Sequence, residues 1–216
     1  MAELLRNAQF KRGLSHAINR DRILNTVWSG LGETTNADMV LASFIFDMQD
    51  SKAAKSIWQQ WNDSYKEYSV NLANRLLDKA GLDQRDSENF RTFPDGSPLE
   101  INILVTAWEY EEVNASSAAL IAEDWAAVGI RSITTSASGD AYFNFANNSK
   151  LQVFLTQSGA FGEWLFPSHI FDPLDDSKAM PLVGKWWKSG GKSGQPPRTC
   201  LLFTSPSPRD ATLSRM

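Results

Sequence analysis

Two histidines, His16 and His169, and one cysteine, Cys200, are all that this sequence of 216 residues offers for neutral-pH acid–base work, soft metal ligation or thiol chemistry. Neither histidine has a second one at ligand spacing, and a lone cysteine excludes both an internal disulfide and a cysteine-rich metal site. His16 stands in a helical stretch with no nucleophile or carboxylate paired to it, and reads as a solvated or capped helix histidine. Asp172, Asp175 and Asp176 in FDPLDDS lack the glycine and terminal glutamate of a calcium loop and read as a surface turn. Gly191-Lys192-Ser193 supplies the end of a phosphate-cradling Walker pattern. The residue five before Gly191 is Trp186, however, no strand leads in, and prolines follow where a helix should begin. A hydrolase built on Asp124 or Glu163 would require a second positioned acid or base, and the sequence shows none. No cofactor motif is present.

The aromatic residues speak for binding. Phe161, Trp164, Phe166, Phe171, Trp186 and Trp187 crowd into loop-like, turn-rich text, GAFGEWLFPSHIFDP followed by GKWWKSGGKSGQPP. Such rings fill cores, and in loops their flat faces also suit sugars, peptides or partner surfaces. A plain aromatic-rich interaction module is one reading of them. Composition is that of a globular protein, 42% hydrophobic and 21% charged, with eight tryptophans and twelve phenylalanines to build a core. The net charge of −4, with both signs interspersed, argues against a nucleic-acid surface. No apolar run reaches membrane-spanning length. The opening MAELLRNAQF lacks the basic start and apolar centre of a signal peptide, so either the protein is cytoplasmic or its beginning is missing.

These residues need elements to position them. In FKRGLSHAINRDRIL, residues 10–24, Phe10, Leu14, Ala17 and Ile18 make one apolar stripe at helical period. Asn19 is a good N-cap type, Asp21 favours the start of a second helix, and Ile23, Leu24, Val27 and Trp28 form its stripe, closed by Ser29-Gly30. The text from Glu33 to Ser51 reads as loop with at most one short element, and 53–66 is helical in composition. A helix is predicted over 69–80, with stripe Val70, Ala73, Leu76 and Leu77 and cap Gly81, then a Pro-Asp-Gly turn at 94–96. A half-buried alternating strand is predicted at 99–105, a helix at 111–128 ended by Gly129, and strands at 131–135 and 151–156, with a short helix over GDAYFNFANNS. Strand, helix, strand with short links implies a crossover unit: an α/β fold with a mixed or parallel sheet and flanking helices.

The last stretch differs from the rest. Residues 198–216, RTCLLFTSPSPRDATLSRM, carry three arginines against one aspartate, and two Ser-Pro pairs. They resemble translated sequencing-adapter read-through and are expected to be a disordered, non-native tail behind a body spanning 1–197.

The stretch RGLSHAINRDRILNTVWSGLG resembles the start of the second lobe in family 5 extracellular solute-binding proteins, the oligopeptide, dipeptide and oligosaccharide receptors of bacterial ABC importers. That family's phrase is an arginine, Ala-Leu-Ser, two residues, Ile-Asp/Asn-Arg, an acid and a hydrophobic run ending in glycine. Arg12, Leu14, Ser15, Ala17, Ile18, Asn19, Arg20, Asp21, Ile23, Val27 and Gly30 fit it, while Gly13 replaces the usual alanine. NLANRLLDKAGL, FRTFPDGSPLEINILV and ALIAEDWAAVGIRSITT keep the family's order, and WWKSGGKSGQPP resembles a closing loop of one subgroup. The resemblance runs over about residues 7–197.

It implies one lobe, lobe II, of a two-lobed periplasmic clamshell, without the first lobe or the secretion signal. It also implies a monomeric, non-enzymatic receptor, periplasmic or anchored outside the membrane, that closes on a solute and delivers it to ABC permease subunits. Peptide-binding members place an aspartate after the third strand against the peptide ammonium. Here that segment reads TQSGAFGEWLFP, with Glu163 as its sole acid, which leaves an oligosaccharide or other neutral solute open. The expected ligand contacts lie just past the third strand. Gln157 and Ser158 would hydrogen-bond, Phe161 and Trp164 would stack, and Glu163 would meet a cation or hydroxyl.

Overall fold

A computed structural model of the chain describes residues 1–34, 52–107, 111–147, 152–155 and 181–196. The chain divides into two compact units, Met1–Tyr142 with Leu151–Gly162, and Phe143–Lys150 with Glu163–Met216. The first unit begins with α1 (Ala8–Ala17) and α2 (Arg20–Val27). The Asn7 side chain caps α1 by accepting from the Gln9 and Phe10 amides, and Asn19 caps α2 by accepting from Arg22 N–H at 3.0 Å. Gly30, at φ 73, donates to the Leu24 carbonyl and closes α2 as its sequence position predicts. Residues 35–51, most of the stretch expected to be loop, lie outside the described residues; next come α3 (Lys52–Asp63) and α4 (Val70–Lys79), the latter capped by Ser69.

The sheet contains β1 (Glu100–Thr106), β2 (Arg131–Ala137) and β3 (Val153–Leu155), with α5 (Glu111–Ala127) crossing from β1 to β2 and α6 (Gly139–Asn147) following β2. Its order is β2-β1-β3, and both pairings are parallel. The strands and long helices therefore stand where the sequence periods put them, and the mixed-or-parallel alternative resolves to parallel among the described strands. One expectation shifts. β1 is not half-buried: from Ile103 to Thr106 every residue is buried, as a central parallel strand requires. Glu100 and Asn102 alternate with buried neighbours only at its start.

The core lies on one face of this sheet. Ile101, Ile103 and Val105 meet Ala118, Ile121 and Trp125 of α5 and Phe10, Leu14 and Leu77 of α1 and α4. Trp125 fills the centre while its indole N–H donates to the Leu14 carbonyl at 3.1 Å, so the large ring is buried without an orphaned donor. Gly13, where the family resemblance has alanine, is explained here. A Cβ on it would sit 2.9 Å from Leu77 Cγ and 3.3 Å from the Ala73 carbonyl oxygen, so α1 and α4 approach closely because that atom is missing.

In the second unit, α7 (Pro181–Lys188) carries Trp186 and Trp187, which the sequence reading placed in loop. Pro181 is a good first helical residue, and the chain then folds back over the helix: Gly191 N–H donates to Trp186 O at 2.8 Å and Gln195 N–H to Leu182 O at 3.0 Å. Gly194 permits this, since a Cβ there would collide with the Leu182 carbonyl. Phe161, Trp164, Phe166, Phe171 and the tail 198–216 lie outside the described residues.

Candidate functional site

In an open parallel sheet, ligand sites form beyond the carboxyl ends of the strands, where connections leave neighbouring strands in opposite directions. The order β2-β1-β3 creates such a divergence at β1: the chain leaves β1 toward β2 on one side, and β3 lies on the other. The described rim of this point consists of Thr106 and Ala107 after β1, Ser136 and Ala137 at the end of β2, Leu155 at the end of β3, and the first turns of α5. Register sets them level. Thr106 pairs with Ala137, and Val105 with Leu155.

Hydrogen bonds hold the rim. Ala107 N–H donates to the Ala137 carbonyl at 3.0 Å, and the Thr106 hydroxyl reaches the Leu155 carbonyl at 3.5 Å. Ser136 Oγ donates to Glu111 Oε1 at 2.7 Å, tying β2 to the start of α5. Asn114 stands on the inner stripe of α5 that continues through Ala118, Ile121 and Trp125, and it is buried. Its Nδ2 is buried without a hydrogen-bond partner among the described residues. Ser117 is buried on the same helix. This rim can orient a solute by hydrogen bonding. Among the described rim residues no nucleophile and base stand paired.

Of the sequence-predicted site residues, Gln157, Ser158, Phe161, Glu163 and Trp164 all lie outside the described residues. Thr106, Asn114 and Ser136 were not anticipated. Their signal was present, because recognising a crossover from β1 through α5 to β2 places the last residues of both strands and the first turn of the helix together.

The motif around residue 20 supports this frame. Asp124, buried on α5, accepts from the Asn19 backbone N–H at 2.8 Å through one oxygen and from the Arg22 guanidinium at 2.7 Å through the other. Both oxygens are thus engaged in fixing α2 to α5. Arg22 also reaches the Leu120 carbonyl and Glu123. Arg20 turns the other way. It donates to Ser15 O at 2.9 Å, Ser15 Oγ at 2.8 Å and Lys66 O at 3.3 Å, and burial lowers its guanidinium below the ordinary arginine value. His16 is buried rather than solvated, its Nδ1 donating to the Glu67 carbonyl at 2.8 Å. The odd charges of this stretch are a two-way junction, gripping α5 on one side and the α3–α4 connection on the other.

Among the described residues no group of His, Cys, Asp and Glu is placed to hold a metal ion. Nor is any described helix long and apolar enough to cross a membrane.

A lobe of parallel β-α-β construction, with a polar rim at the strand ends, has the form of a ligand-binding half of a periplasmic clamshell receptor. The chain belongs to the bacterial extracellular solute-binding proteins, family 5 Middle, whose family profile matches residues 2–180. Among solved structures it is similar to an oligopeptide-binding protein OppA, at 23% identity and a TM-score of 0.65, covering 90% of this chain and 31% of that one. It is also similar to a periplasmic oligopeptide-binding protein of Thermotoga maritima with bound mannohexaose, at 19% identity and a TM-score of 0.57, covering 82% of this chain and 32% of that one. The oligopeptide-binding protein AppA of Bacillus subtilis, in complex with a nonapeptide, matches at 19% identity and a TM-score of 0.56, covering 78% of this chain and 31% of that one. The chain therefore spans about a third of the length of these proteins. No curated protein matches it.

Proposed function

We propose that this chain is a large part of the second lobe of the substrate-binding component of an ABC importer, acting as a monomer that is periplasmic or extracellular and membrane-anchored. The lobe captures a peptide or oligosaccharide-like solute in a cleft and delivers it to the permease subunits, with no covalent step and no cofactor. The observation that carries this reading is the parallel strand order β2-β1-β3, with its switch point at β1, in a chain of this family. Two of its structural neighbours hold a hexasaccharide and a nonapeptide, which supports both solute classes. The absence of an aspartate from TQSGAFGEWLFP weighs toward the neutral one.

The complete receptor, containing both lobes, tests this by calorimetric titration with mannohexaose, a nonapeptide and shorter members of each series. Saturable binding of one class is expected, weakened more than twofold by Gln157→Ala and by Trp164→Ala. No binding of either class defeats the function. Binding that both substitutions leave within twofold defeats the site. The division of the chain at residue 197 has its own test, because removing 198–216 should leave the melting temperature unchanged, whereas a fall of several degrees would make the tail part of the fold.

A further inference from the structure

A second surface, away from the strand ends, has the marks of a docking site. The outer face of α1 presents Ala8, Lys11, Arg12 and Ser15 at helical spacing, and Tyr65, from the α3–α4 connection, stands opposite. Together they line an open groove of about 390 Å³. Neither Lys11 nor Arg12 forms an ion pair among the described residues, although the chain as a whole is acidic. The Arg12 guanidinium carbon lies 4.6 Å from the centre of the Tyr65 ring, a cation–π contact, and its N–H groups make no hydrogen bond among the described residues.

Tyr65 itself is held in an unfavourable state. Its φ is 56, in the left-handed region that a bulky L residue enters at a cost, and it remains 41% exposed. The Ser15 hydroxyl pins this conformation by donating to the Tyr65 carbonyl at 2.7 Å, and the His16 ring meets the phenol edge-on at 6.1 Å. A surface ring kept in a strained backbone position by neighbouring contacts marks a place where presentation of that ring matters.

We propose that this groove docks an acidic segment of a partner protein. Its carboxylates pair with Lys11 and Arg12 while its backbone crosses the Tyr65 ring. The two cations stand at successive positions of the helix and both line the groove, a stretch of α1 from Ala8 to Ser15 runs about 10 Å, and that length matches roughly three extended residues. An open groove of this kind suits a chain passing over it better than a small molecule, which calls for an enclosed site.

The experiment uses the 216-residue chain and a fluorescein-labelled octapeptide of alternating glutamate and glycine, read by anisotropy at low salt. Saturable binding is expected, falling about tenfold in Lys11→Gln/Arg12→Gln and weakening steeply with added salt. Lys11→Gln alone, at an exposed position, should give a partial loss with an unchanged fold. Tyr65→Gly relieves the backbone and removes the platform, so binding should fall about fivefold while the melting temperature holds or rises. A lowered melting temperature with unchanged peptide affinity would reduce Tyr65 to a packing residue and overturn the proposal. So would absent binding, equal binding of free glutarate, or preferential co-sedimentation with phosphatidylglycerol vesicles.

Discussion

The first unit is tied by two buried charges of opposite sign, and the molecule treats them differently. Arg91 is 1% exposed, and its guanidinium is surrounded mainly by neutral acceptors: Val128 O at 2.8 Å, Asn74 Oδ1 at 2.7 Å and the Leu82 carbonyl. Its carboxylate, Asp78, stands 2.6 Å away but is half in water. Asp124 is the reverse case. The anion is the buried partner, it has two strong donors, and its cation Arg22 is the one that reaches solvent. Arg85, lowered below the ordinary arginine value by burial and then by the nearby Arg91, shares Asn74 Oδ1 and Val128 O with it. The lesson is that a planar guanidinium disperses its charge over several carbonyls from separate parts of the chain, whereas a carboxylate concentrates it on two donors.

That contrast can be broken in order of effect. Arg91→Leu should be the most damaging, by about 3–5 kcal/mol in denaturant unfolding, because it leaves the Leu82 carbonyl without its donor and Val128 O and Asn74 Oδ1 to Arg85 alone. If it proved neutral, Arg85 would suffice for the shared acceptors and the buried cation would be dispensable. Asp124→Asn should cost about 1–3 kcal/mol, since Arg22 can swing to water while the amide keeps one acceptor for Asn19. A loss equal to that of Arg91→Leu would abolish the distinction between the two anchors. Asp78→Asn should cost less than about 1 kcal/mol, because the carboxylate is solvated and the guanidinium keeps its carbonyls.

Asp95 gives the far end of the series, an acid with hydrogen bonds but neither burial nor a cation. The Ser97 hydroxyl and then the Ser97 amide hold its carboxyl below the usual carboxylate range. A folded-state value below the unfolded one adds stability above the unfolded value, and that stability disappears as pH falls through the folded value. Melting temperatures of the wild type and Asp95→Asn should therefore differ near neutrality and converge in acid. Parallel curves at every pH would remove Asp95 as a contributor.

Much of the architecture was legible because it rests on local signals. Gly81 and Gly129 have φ of 86 and 80, as helix-ending glycines should, and Gly129 carries a second constraint because a Cβ there would strike the Arg85 guanidinium. The Pro-Asp-Gly turn forms as read, with Gly96 N–H donating to the Phe93 carbonyl at 2.8 Å. What escaped was long-range. The partners of Arg20 and His16 are backbone carbonyls of Lys66 and Glu67, and no side-chain pattern in a sequence advertises a carbonyl. The helix of Trp186 and Trp187 is hidden in the sequence because eight helical residues beside a glycine-rich return show too little period to recognise. For the candidate site, the strand ends were readable, but the burial of Asn114 became visible only once α5 was packed against the sheet.

The pairing of β1 on both sides has a consequence for how the chain acquires this fold. Glu100 finds Arg131 after one crossover, but Ile103 waits for Val153, and the Asn102 amide for the Gln152 side chain, fifty residues on. During synthesis β1 and β2 can associate first and leave the second edge of β1 with open backbone donors and acceptors until the third strand emerges. Val105 and Leu104, buried in the finished sheet, would be in that edge while it is open. Nascent chains stopped before residue 153 should be the ones that capture strands from one another, and a chaperone that delays folding should protect them most in that interval.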